Sequence, residues 1–391
     1  MNSPGDRGQQ NVDMGKDMRP PPLPAPARPA RARPPAPPGT AAALVAPQRN
    51  RPCPIGATFA EACLGSATMK VLVIGATGHI GTYLVPRLVK DGHDVIAMSR
   101  GQRAPYRTDG LWKKVERVSL DRDAEDTAGT FGRTVASMGP DAVIDLMCFT
   151  TSSASQLADA LAPTGTYLLH CGTIWSHGPA VQVPVREDAP RRPFGEYGTQ
   201  KAAIEELLLG MARDGALPCT VLHPGHIVGP GWAPLNPAGN FNTAVFERLA
   251  RGEKLQLPNF GLETVHHVHA DDVAQAFMMA LAQPARASGE AFHAVSERAL
   301  TLRGYAEEVA AWFGRAANLE FLGWEDWARG QLPADATATF EHISRSPSMS
   351  IVKATTTLGY QPGYTSLEAV HESLEWLIAS GQVDTGGAKL S

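Results

Sequence analysis

The chain has 391 residues, of which 43% are hydrophobic and 19% are charged, and its formal net charge is -4 at pH 7. This length is enough for about two domains with a buried core. The apolar runs are far shorter than the roughly 18 residues that span a bilayer, and the charge provides no broad basic surface, so neither a membrane partner nor a nucleic-acid partner is expected. Five scattered cysteines are typical of a reducing compartment, and we expect a cytoplasmic location.

Residues 1–68 differ in composition from the rest of the chain. Their most biased stretch, RPPPLPAPARPARARPPAPPG, is rich in proline, alanine and arginine and has no hydrophobic period. Such a composition cannot bury enough apolar surface to offset the loss of chain entropy. We therefore expect residues 1–68 to be a disordered extension that adds little to the chemistry.

The next stretch, KVLVIGATGHIGTYLVPRLVKDGHDVIAMSRG, predicts a strand, a glycine turn, a helix ending near Asp91 and Gly92, and a second strand. Glycines in such a turn allow the backbone to bend tightly and approach a pyrophosphate, whose charge is met by the amides of the following helix. This βαβ unit predicts a dinucleotide site, and the turn residues expected to hold the cofactor are Gly75, Ala76, Thr77, Gly78, His79, Ile80 and Gly81.

The end of the second strand distinguishes NAD from NADP, because an acid there binds the ribose 2′-hydroxyl and an arginine accommodates a 2′-phosphate. Ser99 and Arg100 occupy this place, so NADP is favoured and NAD remains possible. Asp121 follows a short third strand and is expected to accept a hydrogen bond from the adenine amino group. The continuing alternation of strands and helices predicts a Rossmann-type doubly wound parallel sheet.

Tyr197 and Lys201, in EYGTQKAAIEELL, are four residues apart on a predicted helix and can address the same ligand. Ionising a free phenol at pH 7 costs about 4 kcal/mol. A positive charge about 4 Å away contributes on the order of 4 kcal/mol at an effective dielectric near 20. Lys201, aided by an oxidised nicotinamide, is therefore expected to make Tyr197 a usable base and to bind the nicotinamide ribose.

The order of the motifs GATGHIG, YGTQK, HPGHIVGPG and HHVHADDVAQA resembles the extended short-chain dehydrogenase/reductase family, which includes NAD-dependent epimerases and dehydratases. The likeness extends from residue 69 to about residue 380. It implies an enzyme with a Rossmann domain at 69–220 and a smaller, mixed α/β substrate domain that takes most of 221–391, with some segments returning to the first domain. A homodimer is a family expectation.

In that family, a serine or threonine at the end of the strand before the catalytic tyrosine binds the reacting oxygen. Here the resemblance places Cys171 at this position and Thr173 two residues later, so either is a candidate. A thiol is a weaker donor than a hydroxyl. The motif HPGHIVGPG supplies Pro224 as a cofactor contact and His223 and His226 as candidate substrate contacts.

The reaction expected from the resemblance is reversible hydride transfer at a carbinol or ketone carbon of a sugar, a sugar nucleotide or a related compound. Dehydration is disfavoured because Gly172 and Thr173 replace the usual acidic pair, and epimerisation is favoured. Two alternatives remain: NADPH-dependent reduction of a small carbonyl compound, since Val265 stands where epimerases often carry an arginine, and a non-catalytic nucleotide- or RNA-binding role. The alternating histidines of VHHVHADD raise the possibility of a metal, but the resemblance explains them without one, and no metal is expected.

Overall fold

The computed structural model describes residues 68–107 and 109–391. The extension expected at residues 1–68 therefore lies, apart from residue 68, outside the described residues. The first half of the described chain alternates strands with helices: β1 (Lys70–Ile74), α1 (His79–Lys90), β2 (Asp94–Ser99), β3 (Glu116–Ser119), α2 (Arg122–Ala128), α3 (Phe131–Ser137), β4 (Ala142–Asp145), α4 (Thr151–Leu161), β5 (Tyr167–Cys171), α5 (Glu196–Arg213) and β6 (Cys219–Pro224).

The second half has shorter strands: β7 (His226–Val228), α6 (Ala244–Arg251), β8 (Leu255–Pro258), β9 (Thr264–Val265), β10 (His267–His269), α7 (Ala270–Ala282), α8 (Pro284–Ala287), β11 (Ala291–Ala294), β12 (Leu300–Thr301), α9 (Leu302–Trp312), β13 (Leu319–Leu322), α10 (Trp324–Arg329), α11 (Pro333–Ile343), α12 (Val352–Leu358) and α13 (Ser366–Ala379). Short 3₁₀ helices lie at Gly110–Lys114, Ala162–Thr164 and Ile174–His177.

Seven strands form one parallel sheet in the order β11-β6-β5-β4-β1-β2-β3. The order reverses at β1, because β2 and β3 follow on one side of it and β4, β5 and β6 on the other. Open sheets of this kind bind ligands beyond the carboxyl ends of the strands at such a reversal. The arrangement confirms the doubly wound parallel sheet predicted from the sequence.

The strands of this sheet are covered on both faces, as buried parallel strands require. On one face Val71 and Val73 of β1 pack in a cluster with Leu84 of α1 and Phe277 of α7. On the other face the alternate residue Leu72 packs with residues of α4 and α5. The period-two alternation of a strand therefore places adjacent apolar residues in different cores.

The chain after β6 divides between the large sheet and a separate core. β11 returns to pair with β6, while β7 pairs with β10, β9 with β12, and β8 with β13 in three two-stranded sheets. A second apolar cluster surrounds these small sheets and includes Phe246, Tyr305 and Trp327. In the part of the chain that the structure describes, no helix is long and apolar enough to cross a membrane.

The glycine turn between β1 and α1 depends on close backbone packing. Gly75 has a φ of +83°, a backbone conformation that residues other than glycine rarely adopt. Gly81 lies inside α1, and a Cβ atom there would be 2.2 Å from the carbonyl oxygen of Ala76. The helix therefore lies directly against the turn because Gly81 has no side chain.

Two helical glycines provide a matched test of this packing. Replacing Gly81 with alanine is expected to lower the free energy of unfolding by at least about 2 kcal/mol, because the clash is with backbone that cannot move aside cheaply. Gly210 lies within α5 with nothing closer than 3.8 Å to its Cβ position, so Gly210→Ala should stabilise by about 0.5–1 kcal/mol. Urea unfolding of both variants measures the difference, and equal effects would contradict the packing described.

Candidate active site

Tyr197 and Lys201 lie one turn apart near the start of α5. Lys201 is 2% exposed, and its Nζ donates a hydrogen bond of 2.7 Å to the carbonyl oxygen of Cys171 at the end of β5. The same Nζ lies 5.9 Å from the centre of the Tyr197 ring. The lysine thus joins the helix to the sheet and places a positive charge beside the phenol.

The tyrosine remains protonated at neutral pH. Burial is the main cause that raises the pKa of Tyr197 to about 12, Cys171 adds to the rise, and the neighbouring Thr173 hydroxyl opposes it. Because Tyr197 is still 40% exposed, only the direction of this shift carries weight in the mechanism. The charge of Lys201 does not by itself bring the tyrosine pKa towards neutrality. The further lowering expected from an oxidised nicotinamide remains a prediction.

The two candidates for binding the reacting oxygen lie at the end of β5, but they are not equivalent. Cys171 is the last strand residue, and burial raises the pKa of its thiol to about 11, so it is a neutral and weak donor. Thr173 lies beyond the strand as the N-cap of the 3₁₀ helix Ile174–His177, where its Oγ1 accepts a hydrogen bond of 3.2 Å from the Trp175 amide. Thr173 is therefore not on the strand face with Cys171, and its hydroxyl proton remains available to a substrate.

Aromatic rings line the space next to Tyr197. The Trp175 ring meets the Tyr197 ring edge-on with centres 5.7 Å apart, and the Phe149 ring centre lies 6.4 Å from it. On its other side Trp175 meets His342 of α11, with ring centres 5.0 Å apart. His342 is in turn 5.0 Å from the ring of His226. The structure thus connects His226, predicted from the sequence, to Tyr197 through residues that were not predicted.

Arg345 packs against the aromatic rings that line the space next to Tyr197, which together form the wall of the site. Its guanidinium carbon lies 3.8 Å from the centre of the Trp175 ring and 3.7 Å from that of Phe194. Its Nη2 donates to the Phe194 carbonyl at 2.7 Å, and its Nη1 lies 2.8 Å from a carboxylate oxygen of Glu341. Arg345 is 1% exposed. Its charge is therefore already neutralised, and it acts on the site by holding Trp175.

His223 does not belong to this wall. It is fully buried on β6, and its Nε2 lies 3.2 Å from a carboxylate oxygen of Glu205. The strand directs the His223 ring into the interior, away from the other candidate substrate contacts, and its expected contact with a substrate stays a prediction. His226, two residues beyond the end of β6, is half-buried, with Nδ1 3.2 Å from the His266 carbonyl oxygen.

The alternating histidines of VHHVHADD each have a separate partner. His266 Nε2 lies 2.8 Å from the Ser296 carbonyl oxygen, and His267 Nε2 lies 2.9 Å from the Leu235 carbonyl oxygen. The ring of His269 caps α7 by accepting from the Asp271 amide at 3.1 Å. Each of the three histidines therefore has a structural role, either in contact with a backbone carbonyl or as a helix cap.

The turn after β1 fits a dinucleotide. No side chain caps the first turn of α1, whose N-cap is Gly78, so the amides of that turn are free for a pyrophosphate. A Cβ at Gly75 would lie 2.4 Å from Met147 Cγ, so the lack of a side chain at Gly75 lets Met147 pack directly against the turn. The ring of His79 stacks on Trp232 with centres 4.9 Å apart, which leaves only the His79 backbone for the cofactor.

The remaining residues predicted to bind the cofactor lie at the carboxyl-terminal edge of the sheet or just beyond it. Ser99 ends β2 and accepts a hydrogen bond of 3.3 Å from the Gly101 amide, while Arg100 is exposed. Asp121 caps α2, where one carboxylate oxygen accepts from the amides of the helix at 3.0 and 3.3 Å. Pro224 is the buried last residue of β6. The contact of Asp121 with adenine stays a prediction.

Comparison with known proteins gives consistent matches. The sequence model described as the NAD dependent epimerase/dehydratase family matches residues 71–294. A 2'-dehydrokanamycin reductase of Streptomyces kanamyceticus is 31% identical over 68% of this chain and 72% of its own. A UDP-glucose 4-epimerase of Mycolicibacterium smegmatis is 30% identical over 54% of this chain and 73% of its own. The solved structure of a Thermotoga maritima UDP-glucose 4-epimerase with UDP-glucose superimposes with a TM-score of 0.61, at 21% identity over 80% of this chain and 99% of that one.

The raised pKa of Tyr197 predicts how this residue titrates. Without nucleotide, the Tyr197 phenol should not ionise below about pH 10. The difference in ultraviolet phenolate absorption between the wild type and Tyr197→Phe isolates this residue, over the pH range in which the circular dichroism is constant. Ionisation of Tyr197 below about pH 9 would show that the lysine charge outweighs burial.

Proposed function

The chain belongs to the NAD-dependent epimerase/dehydratase family of extended short-chain dehydrogenase/reductase enzymes, and we propose that it is an NADPH-dependent reductase of a ketone on a sugar-like, polyhydroxylated compound. The observation that carries this proposal is the arrangement at the end of β5, where Tyr197 lies beside Thr173 and one turn before the anchored Lys201 on α5. The nucleotide, when bound, supplies a hydride. The protein residues then need to hold the carbonyl oxygen and give it a proton.

The roles of the residues follow from their protonation states. A phenol whose pKa is raised keeps its proton at neutral pH, so the proton is present to be given to the oxygen as the carbonyl carbon receives the hydride. Thr173 is the second donor to that oxygen, because its Oγ1 uses one of its two lone pairs to accept from the Trp175 amide and can direct its proton to the substrate. Lys201 would bind the nicotinamide ribose and stabilise the tyrosinate that remains after transfer.

The loop after β2 supports NADP. The stretch from Ser99 to Arg107 contains three arginines and no carboxylate. Arg100 is exposed, and Arg103 donates to the Tyr106 hydroxyl at 2.6 Å. A 2′-phosphate bound here would gain charge-assisted hydrogen bonds, whereas a ribose hydroxyl would find no acid to accept from it.

The wall of the site favours a compact substrate over a nucleotide sugar. A diphosphate needs bidentate guanidinium contacts, but Arg345 is occupied by Glu341 and the Phe194 carbonyl. Val265, where epimerases often carry an arginine, is fully buried in β9. The rings of Trp175, His342 and His226 instead offer flat apolar surface with ring nitrogens, which suits an uncharged sugar ring. The similarity to a 2'-dehydrokanamycin reductase agrees with this substrate class.

Epimerisation is the second candidate. The similarity to UDP-glucose 4-epimerases in sequence and fold supports it, and the same tyrosine and lysine serve both reactions. The two differ in the fate of the nucleotide, because an epimerase recycles NAD internally and a reductase exchanges its cofactor at each turnover. Nucleotide released from the denatured protein and identified by mass spectrometry distinguishes them: retained NAD would overturn the reductase proposal.

Removing the tyrosine hydroxyl tests the proposed chemistry. Tyr197→Phe should reduce NADPH oxidation with a panel of keto sugars by about 10²- to 10⁴-fold, because the proton donor is lost, while the Kd for NADPH changes by less than about 2-fold. Tyr364→Phe is the matched control, since that half-buried ring stacks on His269 away from Tyr197. Unchanged turnover in Tyr197→Phe, or faster turnover of the wild type with NADH than with NADPH, would contradict the proposal.

A further inference from the structure

Three buried histidines from different elements meet behind the active-site strand. They are His177 at the end of the 3₁₀ helix Ile174–His177, His223 on β6 and His293 on β11, where His293 is the register partner of His223. Their exposed fractions are 3%, 0% and 0%. One ring nitrogen from each lies within 4.8 Å of the others, and the Nε2 atoms of His177 and His293 are 2.8 Å apart.

A carboxylate completes this histidine cluster. Glu205 of α5 is 6% exposed and places its Oε2 3.2 Å from His223 Nε2. The two atoms are in close contact, but among the described residues neither ring nitrogen of His223 nor the Oε2 of Glu205 has a partner with hydrogen-bond geometry. Leaving buried polar atoms without a partner is destabilising, so three such atoms in one place indicate a site for a ligand.

We propose that His177, His223, His293 and Glu205 form a Zn²⁺ site. Three imidazole nitrogens and one carboxylate oxygen are donors that Zn²⁺ binds in tetrahedral sites, with ligand atoms about 3.3 Å apart. The present separations, from 2.8 Å between the Nε2 atoms of His177 and His293 up to at most 4.8 Å within the group, bracket this spacing. The site shares no side chain with the residues assigned to the proposed reductase activity.

The carboxylates around the histidine cluster favour the binding of a cation. Glu187 lies beside the cluster, with a carboxylate oxygen 3.6 Å from His293 Nδ1. Glu205 contacts His223 in the same way, with Oε2 3.2 Å from its Nε2. Two carboxylates therefore lie against the three imidazole rings.

One cation now occupies part of this space. Arg191 contacts the Oε1 of Glu205 and places Nη1 2.7 Å from His177 Nδ1 and 3.0 Å from its Nε2. Its side chain is 24% exposed, so it has a path to solvent. Binding of Zn²⁺ requires Arg191 to withdraw from His177, and the arginine therefore competes with the metal. This competition predicts that Arg191→Gln binds the metal more tightly than the wild type.

The metal would act on the active site through the backbone. A Cβ at Gly172 would lie 2.6 Å from the His223 ring, so this ring packs directly against the segment between Cys171 and Thr173. His177 ends the helix that Thr173 begins. A metal joining His177 to β6 and β11 would hold the Thr173 segment firmly on the sheet.

Titration with Co²⁺, whose visible absorption distinguishes tetrahedral from octahedral coordination, tests the site. The full chain, treated with EDTA and desalted, should bind one Co²⁺ per chain with a tetrahedral spectrum, and Zn²⁺ should displace it and raise Tm. His223→Gln should weaken Co²⁺ binding by more than about 100-fold, because a direct ligand is lost. His371→Gln, a matched change on the surface helix α13, should bind as the wild type does.

The outcomes separate a metal site from a purely structural histidine network. Absence of a tetrahedral Co²⁺ spectrum in the wild type, or an unchanged spectrum in His223→Gln, would overturn the proposal. If His223→Gln fails to fold, Glu205→Gln, which keeps the shape of the side chain and removes its charge, gives the same test. Weaker Co²⁺ binding in Arg191→Gln than in the wild type would likewise contradict the arrangement, because the competing cation has been removed.

Discussion

The hydrogen bond from the Lys201 ammonium to the Cys171 carbonyl oxygen is the constraint on which the active site depends. A buried ammonium without a partner is costly, so the structure retains it only where acceptors are in place. Here the acceptor is the last carbonyl of β5, and the bond therefore sets the position of α5 along the end of the sheet. Tyr197, one turn earlier on α5, is placed above the strand end by the same contact.

The parallel sheet gathers the other parts of the site at one edge. The glycine turn follows β1, the arginine-rich loop follows β2, and the segment with Thr173 follows β5, so all three lie beyond the carboxyl ends of strands. The reversal of strand order at β1 opens the space between these loops. Cofactor and substrate groups thus come together because of the topology, although more than a hundred residues separate Gly75 from Tyr197 along the chain.

The sequence was sufficient for those parts of the structure that depend on local spacing. The glycine turn, the alternation of strands and helices and the Tyr197/Lys201 pair all follow from short-range periodicity. The position of Thr173 outside β5 did not follow from the sequence, because β5 ends where its backbone hydrogen bonds to the neighbouring strands β4 and β6 stop. The direction of the His223 ring did not follow either, because the pattern of a fully buried strand does not show which core each ring faces.

The residues that form the wall of the site could not be predicted from local sequence patterns. His342 lies in the last turn of α11 and Arg345 just beyond that helix, and only tertiary packing brings them to Trp175. The cluster of His177, His223 and His293 was missed for the same reason, since these residues are far apart in the sequence and share no spacing typical of a metal site.

The most direct test of the account is the affinity for nicotinamide nucleotides of the wild type and of Lys201→Met, measured by calorimetric titration with NADPH and with NADH. The variant keeps the apolar stem of the side chain and removes the ammonium. The account predicts that the wild type binds NADPH more tightly than NADH and that Lys201→Met loses at least about 10-fold in NADPH affinity, because one charge-assisted contact is worth about 1.5–3 kcal/mol. Equal NADPH affinity in the two proteins would contradict the role assigned to the buried lysine.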